Sequence, residues 1–168
     1  MIFEICVDSV AGVRAAKAAG ADRVELCADL LEGGITPSRG MIRHAKTIAG
    51  IGLNVMIRPR GGDFLFDEDE FAVMKSDIEM AKAEGADGVV IGVLTAAGEV
   101  DTARTRKLVA LARPLSVTFH RAFDVAAEPF RALETLIELG VDRVLTSGQE
   151  PPVFDGRFNS APPRCQPH

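Results

Sequence analysis

The sequence of 168 residues carries a net charge of −5, and 47% of its residues are hydrophobic and 26% charged. This length suits one domain with its own core, and this balance is typical of a globular protein rather than a disordered chain. A net negative charge gives no general attraction to nucleic acid, and no run reaches the roughly 18 apolar residues of a membrane span. We therefore expect neither nucleic acid nor a membrane among its partners.

The first ten residues, MIFEICVDSV, predict a β-strand and not a signal peptide. No basic residue precedes the apolar stretch, and Asp8 interrupts it. The three cysteines, Cys6, Cys27 and Cys165, are too few for a disulfide scaffold. The sequence therefore predicts a cytoplasmic protein with reduced thiols.

A phrase that ends a helix and begins a strand recurs along the chain. It reads AAGADRVEL at 18–26, AEGADGVVI at 83–91 and ELGVDRVLT at 138–146, with variants at 49–57 and 112–119. Its glycine ends a helix, and the apolar run that follows begins a strand. Six strands are therefore expected to begin near residues 2, 23, 53, 88, 116 and 143. Strands that alternate with helices at this spacing indicate βαβ units and a parallel sheet.

The alternation of side chains along each strand distinguishes a barrel from a doubly wound sheet. The expected strands pair an apolar face with a polar one, whereas a sheet covered by helices on both faces would be apolar throughout. A closed barrel can place its polar face inside, towards the carboxyl-terminal mouth. The polar faces carry Glu4, Cys6 and Asp8 in the first strand, Glu25 and Cys27 in the second, Asn54, Met56 and Arg58 in the third, and Thr118 and His120 in the fifth.

The strand count falls short of a complete barrel, because a TIM barrel has eight strands and typically about 250 residues. The predicted fold is therefore an α/β, incomplete TIM (β/α)8-type barrel of six parallel strands and about five helices. It comprises residues 1–149, and an irregular, Pro-rich tail follows at 150–168. We expect the open strand edges, with Ile5 and Val7 left uncovered, to cause self-association.

Six segments resemble the CutC copper-homeostasis family. They are EICVDS at 4–9, RVELC at 23–27, GGITPS at 33–38, MIRPRGGDF at 56–64, VTFHRAFD at 117–124 and LTSGQE at 145–150. The resemblance extends from Met1 to about Glu150 and implies a TIM barrel, a role in intracellular copper handling, and Cu(I) ligands at Cys6 and Cys27. The family continues with two further βα units where this chain departs. This departure leaves open the alternative that the chain is an inactive fragment.

Cys6 and Cys27 also form a candidate metal site without the family. Both lie on the inward face near the carboxyl ends of neighbouring strands, which run about 4.8 Å apart. Two thiolates favour Cu(I) over hard cations, and Met56 is a further soft neighbour; zinc would require four ligands. The alternative is that both cysteines are small buried hydrophobic residues.

Arg58 and Arg60 form a candidate anion site. They flank a proline and precede two glycines, and arginine binds carboxylate or phosphate through two parallel hydrogen bonds. The alternative is that both are structural and pair with Glu4, Glu25 and Asp8, because buried charges are normally paired.

His120 ends the fifth strand, where barrel enzymes commonly place catalytic groups. It is either a general base that Glu25 orients or a polar group bonded to a neighbouring strand. Two functions therefore remain open. The first is a copper-binding protein, and the second is an enzyme acting on a small anionic metabolite through Glu25, Arg58, Arg60 and His120.

Overall fold

The computed structural model describes residues 1–150. One sheet of six parallel strands runs in the order β1-β2-β3-β4-β5-β6, and five helices cover its outer face. The strands are β1 (Glu4–Val7), β2 (Arg23–Leu26), β3 (Gly52–Met56), β4 (Gly88–Ile91), β5 (Ser116–Phe119) and β6 (Arg143–Val144). The helices are α1 (Val10–Ala18), α2 (Arg39–Lys46), α3 (Glu68–Ala83), α4 (Thr102–Ala112) and α5 (Pro129–Glu138). We call this curled sheet the half-barrel. It confirms the predicted fold class.

Side chains that accept hydrogen bonds from free backbone N–H groups set the helix starts. Ser9 accepts from the N–H of Gly12 at the start of α1, and Asp101 does the same for α4. Asp67 and Glu70 form a capping box at the start of α3, because each side chain accepts from the backbone of the other. These caps fix where α1, α3 and α4 begin.

The two faces of the sheet have the composition that the alternation predicts. Outward residues such as Val24, Val55 and Val89 pack with the helices in one large core. Burying such a side chain contributes about 1.5–3 kcal/mol. On the interior face, Cys27, Met56 and Val90 form a small separate cluster. The interior of the half-barrel is therefore the polar and sulfur-bearing face.

The two edge strands, β1 and β6, are not paired with each other in the described part of the chain. Ile5 on β1 is 40% exposed, as expected, but Val7 is only 8% exposed. The expectation for Val7 is wrong because α1 begins three residues later and packs its Gly12 against that side chain. Self-association through these edges stays a prediction.

Two further expectations concern the C-terminal tail and membrane-spanning helices. The predicted tail at 150–168 lies outside the described residues, apart from Glu150. Within residues 1–150, no helix is long and apolar enough to cross a bilayer.

Candidate functional site

The parallel register brings the predicted site residues to one end of the interior face. Cys6 of β1 lies beside Glu25 of β2, and Met56 of β3 lies beside Val90 of β4. Cys27 immediately follows β2, and its N–H donates to the carbonyl of Val7. The carboxyl ends of neighbouring parallel strands therefore hold both cysteines at the mouth of the half-barrel.

The structure brings Cys6 and Cys27 together, with 3.6 Å between their Sγ atoms. Cys6 Sγ also lies 3.6 Å from Oε1 of Glu25, and Cys27 Sγ lies 3.5 Å from the carbonyl oxygen of Val7. Cys6 is exposed whereas Cys27 is buried. The pair therefore has one sulfur that solvent reaches and one held inside.

The two thiols differ in acidity because they share one hydrogen bond. The hydrogen bond to Cys27, burial and the negative charge of Glu25 all raise the pKa of Cys6. The same hydrogen bond lowers the pKa of Cys27, against the opposing effects of burial and of nearby carboxylates. Burial and the charge of Glu4 raise the pKa of Glu25 to about 7, although its hydrogen bond with Cys6 opposes them.

Met56 and Gly34 complete the surroundings of Cys27. Met56 packs against Cys27 inside the half-barrel, as the alternation on β3 predicts. Gly34 has φ +89°, and a Cβ there would lie 3.2 Å from Cys27 Sγ. A glycine is therefore needed for the loop after β2 to turn back over the buried thiol. Sequence reasoning quoted this glycine only as part of a motif, and its approach to Cys27 appears only in the structure.

Arg58 is buried, but no carboxylate binds it in the described chain. Its Nη1 donates to the carbonyl oxygens of Glu32 at 2.8 Å and Gly34 at 3.1 Å, and its Nη2 donates to that of Gly62 at 2.7 Å. The guanidinium also lies 4.9 Å from the centre of the Phe64 ring. Burial, together with the charge of Arg60, lowers the pKa of Arg58.

Arg60 binds carboxylates and is more exposed than Arg58. Its Nε lies 2.5 Å from Glu70 and its Nη2 lies 3.0 Å from Asp63, and the side chain is 39% exposed. The two neighbouring arginines therefore do not form one paired anion clamp.

The expected internal pairing of these arginines with Glu4, Glu25 and Asp8 is also wrong. Glu4 binds Arg23, its partner in the β1–β2 register, and accepts a hydrogen bond from Asn54 at 3.0 Å. Glu25 interacts with Cys6. Glu4 and Glu25 therefore interact with residues of the neighbouring strand, and Arg58 binds carbonyl oxygens of nearby loops.

His120 lies inside the half-barrel, and its Nδ1 accepts a hydrogen bond from the N–H of Ala122 at 3.1 Å. Its ring centre lies 4.9 Å from that of Phe64. Burial and the charge of Arg58 lower the pKa of His120 to about 3, so the ring is neutral near pH 7 and a weak base. Orientation by Glu25 and bonding to a neighbouring strand are both wrong, because the side chain bonds to its own turn.

Asp124 is an organising residue that the sequence interpretation did not single out. The hydroxyl of Thr146 and the N–H groups of Ser147 and Gln149 donate to its carboxylate, at 2.6–3.2 Å. Burial opposes ionisation, but these bonds and the one from Arg121 lower the pKa of Asp124 to about 2. Ser147 and Gln149 therefore hold the loop after β6 to the loop after β5.

The cysteine pair has too few ligands for a four-coordinate metal centre. Within residues 1–150, no group of three or more His, Cys, Asp or Glu side chains is arranged to hold a metal ion. The donor set is two thiols with a methionine packed beside them, which is suited to a soft ion of low coordination number.

Comparison with known proteins identifies the family to which these features belong. The family model described as CutC family matches residues 1–158. The chain belongs to the CutC family. A copper homeostasis protein cutC homolog of Mus musculus is 54% identical over 155 residues, and that of Homo sapiens is 52% identical over 155 residues. Each alignment covers 92% of this chain and 57% of the relative, so this CutC chain spans less than two thirds of their length.

Solved structures agree with the CutC assignment. The CutC structure from Streptococcus agalactiae matches with a TM-score of 0.88 and 34% identity, covering 95% of this chain and 80% of that one. A phosphonopyruvate hydrolase matches with a TM-score of 0.61 and 15% identity, over 87% of this chain and 58% of that one. At this low identity the second likeness shows only that the half-barrel has a TIM-like fold.

Proposed function

We propose that this CutC chain is a cytoplasmic copper-homeostasis protein that binds Cu(I) through the thiolates of Cys6 and Cys27. The observation that carries the proposal is the separation of 3.6 Å between the two sulfur atoms at the mouth of the half-barrel. Membership of the CutC family supports the copper role, since the relatives from mouse and human carry the name copper homeostasis protein.

The donor chemistry favours Cu(I) over the metals that compete with it. Thiolate and thioether ligands select Cu(I), whereas zinc sites in proteins almost always have four ligands. The Met56 side chain packs beside Cys27 and offers a third sulfur on the buried side. A site with two thiolates holds copper while leaving space for a ligand from a donor or an acceptor.

The difference between the two thiols suggests how copper enters and leaves. Cys6 is exposed, so an incoming ion meets its sulfur first, while Cys27 is buried behind it. Cys6 holds its proton in the metal-free pair, and metal binding must displace that proton because thiolates are the ligands. Reduced thiols are required for this exchange, which fits the cytoplasm.

A competition titration tests the proposal. The 168-residue chain is titrated with Cu(I) against a chelator of known affinity, beside Cys6→Ser, Cys27→Ser and the double variant. We expect about one Cu(I) per native chain, and each single substitution should weaken binding at least about tenfold, since it removes one of two thiolate ligands.

Two matched variants sharpen this titration. Cys165→Ser removes the remaining cysteine and should leave the affinity unchanged. Met56→Leu keeps the side-chain volume but removes the thioether, so a loss smaller than that of either cysteine variant would identify Met56 as an auxiliary ligand. If the double cysteine variant retained the native affinity for Cu(I), the proposal would be wrong.

A further inference from the structure

Two buried N–H donors on the interior face have no hydrogen-bond partner among residues 1–150. They are Nε of Arg58 and Nε2 of His120, in residues that are 5% and 4% exposed. A buried polar group without a partner destabilises the folded state, and a charged group does so more strongly. Such groups are rare in native proteins and call for an explanation.

The register places these two side chains at one level of the half-barrel. Met56 pairs with Val90 and Ile91 pairs with Phe119, so Arg58 and His120 lie on either side of Gly92. A Cβ at Gly92 would lie 2.2 Å from Cε1 of His120, so the missing side chain is what lets the imidazole lie over β4.

Phe64 connects the two groups. Its ring centre lies 4.9 Å from the Arg58 guanidinium carbon and 4.9 Å from the His120 ring centre. Phe64 is itself partly exposed, so this aromatic contact lies at the boundary between the two donors and solvent.

Both N–H groups lack an acceptor, and a negatively charged one would suit the buried guanidinium best. Nδ1 of His120 accepts from Ala122, so the proton of the neutral ring belongs on Nε2. Arg58 hydrogen-bonds to carbonyl oxygens and lies over an aromatic ring, while the carboxylate of Glu32 acts on its charge without a hydrogen bond to it. An oxyanion would supply acceptors for both N–H groups and compensate the buried cation.

We propose that the interior of the half-barrel binds a small oxyanion, a carboxylate or a phosphate, between Nε of Arg58 and Nε2 of His120. Arg60 does not belong to this site, because Glu70 and Asp63 already bind its guanidinium. The site is separate from the thiol pair and does not depend on the copper proposal. The loop at Gly34 nevertheless touches both sites, since its carbonyl accepts from Arg58 and its Cα faces Cys27.

Thermal unfolding with added anions tests the site. The thermal midpoint of the metal-free 168-residue chain is measured at increasing concentrations of inorganic phosphate and, separately, of malonate. Chloride at equal ionic strength is the reference. A ligand that binds only the folded state raises the midpoint, and the rise grows with the ratio of the ligand concentration to its dissociation constant. We expect phosphate, malonate or both to raise it beyond chloride, and the two arms identify which oxyanion the site takes.

Three variants distinguish anion binding at Arg58 and His120 from anion binding at the surface arginine Arg60. His120→Asn keeps an acceptor for the N–H of Ala122 but lacks the Nε2 donor, and Arg58→Lys lacks the Nε donor. Each should weaken anion binding at least about tenfold, whereas Arg60→Lys, with its partners on the surface, should bind as the native chain does.

A direct measurement keeps the test decisive where a variant does not fold. The chain has three histidines, so 15N-histidine labelling of the native protein gives three imidazoles, and His44→Gln and His168→Gln assign the remaining one to His120. Addition of the effective anion should move the Nε2 signal of His120. An unmoved His120 signal, an unchanged midpoint in both anions, or equal losses in Arg60→Lys and Arg58→Lys would each overturn the proposal.

Discussion

The interior of the half-barrel has two sides that differ in charge and in exposure. On the side of β1 and β2, the thiol side, Cys6 and Cys27 lie among the carboxylates of Glu4, Asp8 and Glu25. On the side of β3 to β5, the histidine side, the buried groups are Arg58 and a neutral His120. The first side is rich in carboxylates and sulfur, whereas the second holds a buried guanidinium and an imidazole.

This contrast follows from where each side lies in the sheet. β1 is an edge strand, so solvent reaches Cys6, whereas Glu25 on the inner strand β2 is only 6% exposed. Strands β3 to β5 have neighbours on both sides, and polar groups on them are deeply buried. We therefore expect the proposed Cu(I) and oxyanion sites to lie side by side at one mouth, with the loop at Gly34 in contact with both.

The largest effect is expected from removing the carboxylate that secures the histidine side. Asp124→Asn replaces an acceptor of several hydrogen bonds by an amide whose N–H₂ faces the same donors. We expect a loss of about 3 kcal/mol in the free energy of unfolding, because the Asp124 side chain is only 5% exposed and hydrogen-bonded to charged and neutral donors. Urea unfolding measures it, and Cu(I) affinity should not change.

The pH dependence of stability provides a second test of the role of Asp124. The pKa of Asp124 falls from an ordinary value of 3.8 to about 2 in the folded chain, so its charge contributes stability above pH 3.8. This contribution is lost as the pH falls from 3.8 through 2. The difference in stability between native and Asp124→Asn chains should therefore shrink over that interval, and a constant difference would contradict the assignment.

Gly92→Ala should break the histidine side while sparing the thiol side. The added Cβ would meet the His120 ring and lie 2.9 Å from Cβ of Ala122, so the imidazole must move. Overpacking of this kind costs about 1–3 kcal/mol. We expect the anion-dependent rise of the thermal midpoint to disappear while the Cu(I) titration stays native. Loss of copper binding in this variant would show that the two sides are coupled.

The smallest effect compares the two cysteines in the metal-free chain. Cys27→Ala leaves a small cavity beside Met56 and Val90 and should cost roughly 1 kcal/mol, since the thiol is completely buried. Cys6→Ala changes a solvent-exposed side chain and should stay within about 0.5 kcal/mol. Urea unfolding of both variants checks this, and equal losses would mean that β1 is less exposed than the edge position indicates.

Local patterns were sufficient to predict much of the thiol side. The alternation along β1 and β2 predicted that Cys6 and Cys27 lie on one face at neighbouring strand ends, and the separation of 3.6 Å between their sulfur atoms agrees with that placement. Their binding of one small ion stays a prediction. The strand starts were also predicted to within two residues, because the recurring glycine and apolar run mark each helix end. The burial of Val7 was missed, since it depends on how α1 packs against β1.

The partners of the charged residues could not be predicted in the same way. Arg58 and Arg60 are two residues apart, yet one binds loop carbonyls inside the half-barrel and the other binds Glu70 on the surface. Glu25 was expected to orient His120. Instead, Glu25 interacts with Cys6 of the neighbouring strand, and His120 accepts a hydrogen bond from Ala122 of its own turn. Many carboxylates and carbonyls compete for each cation, and their separation depends on loop paths that no periodicity encodes.

By itself, the sequence determined the parallel α/β architecture, the position of the six strands and the face on which each polar residue lies. These properties follow from hydrophobic periodicity and from glycine at helix ends, which act over a few residues. Only the tertiary structure decided that Arg58 and His120 lie on either side of Gly92 with unpartnered N–H groups, and that Asp124 secures the loop after β6. The reason is that hydrogen-bond partners are chosen by distances of about 3 Å between segments far apart in the chain, and folding alone sets those distances.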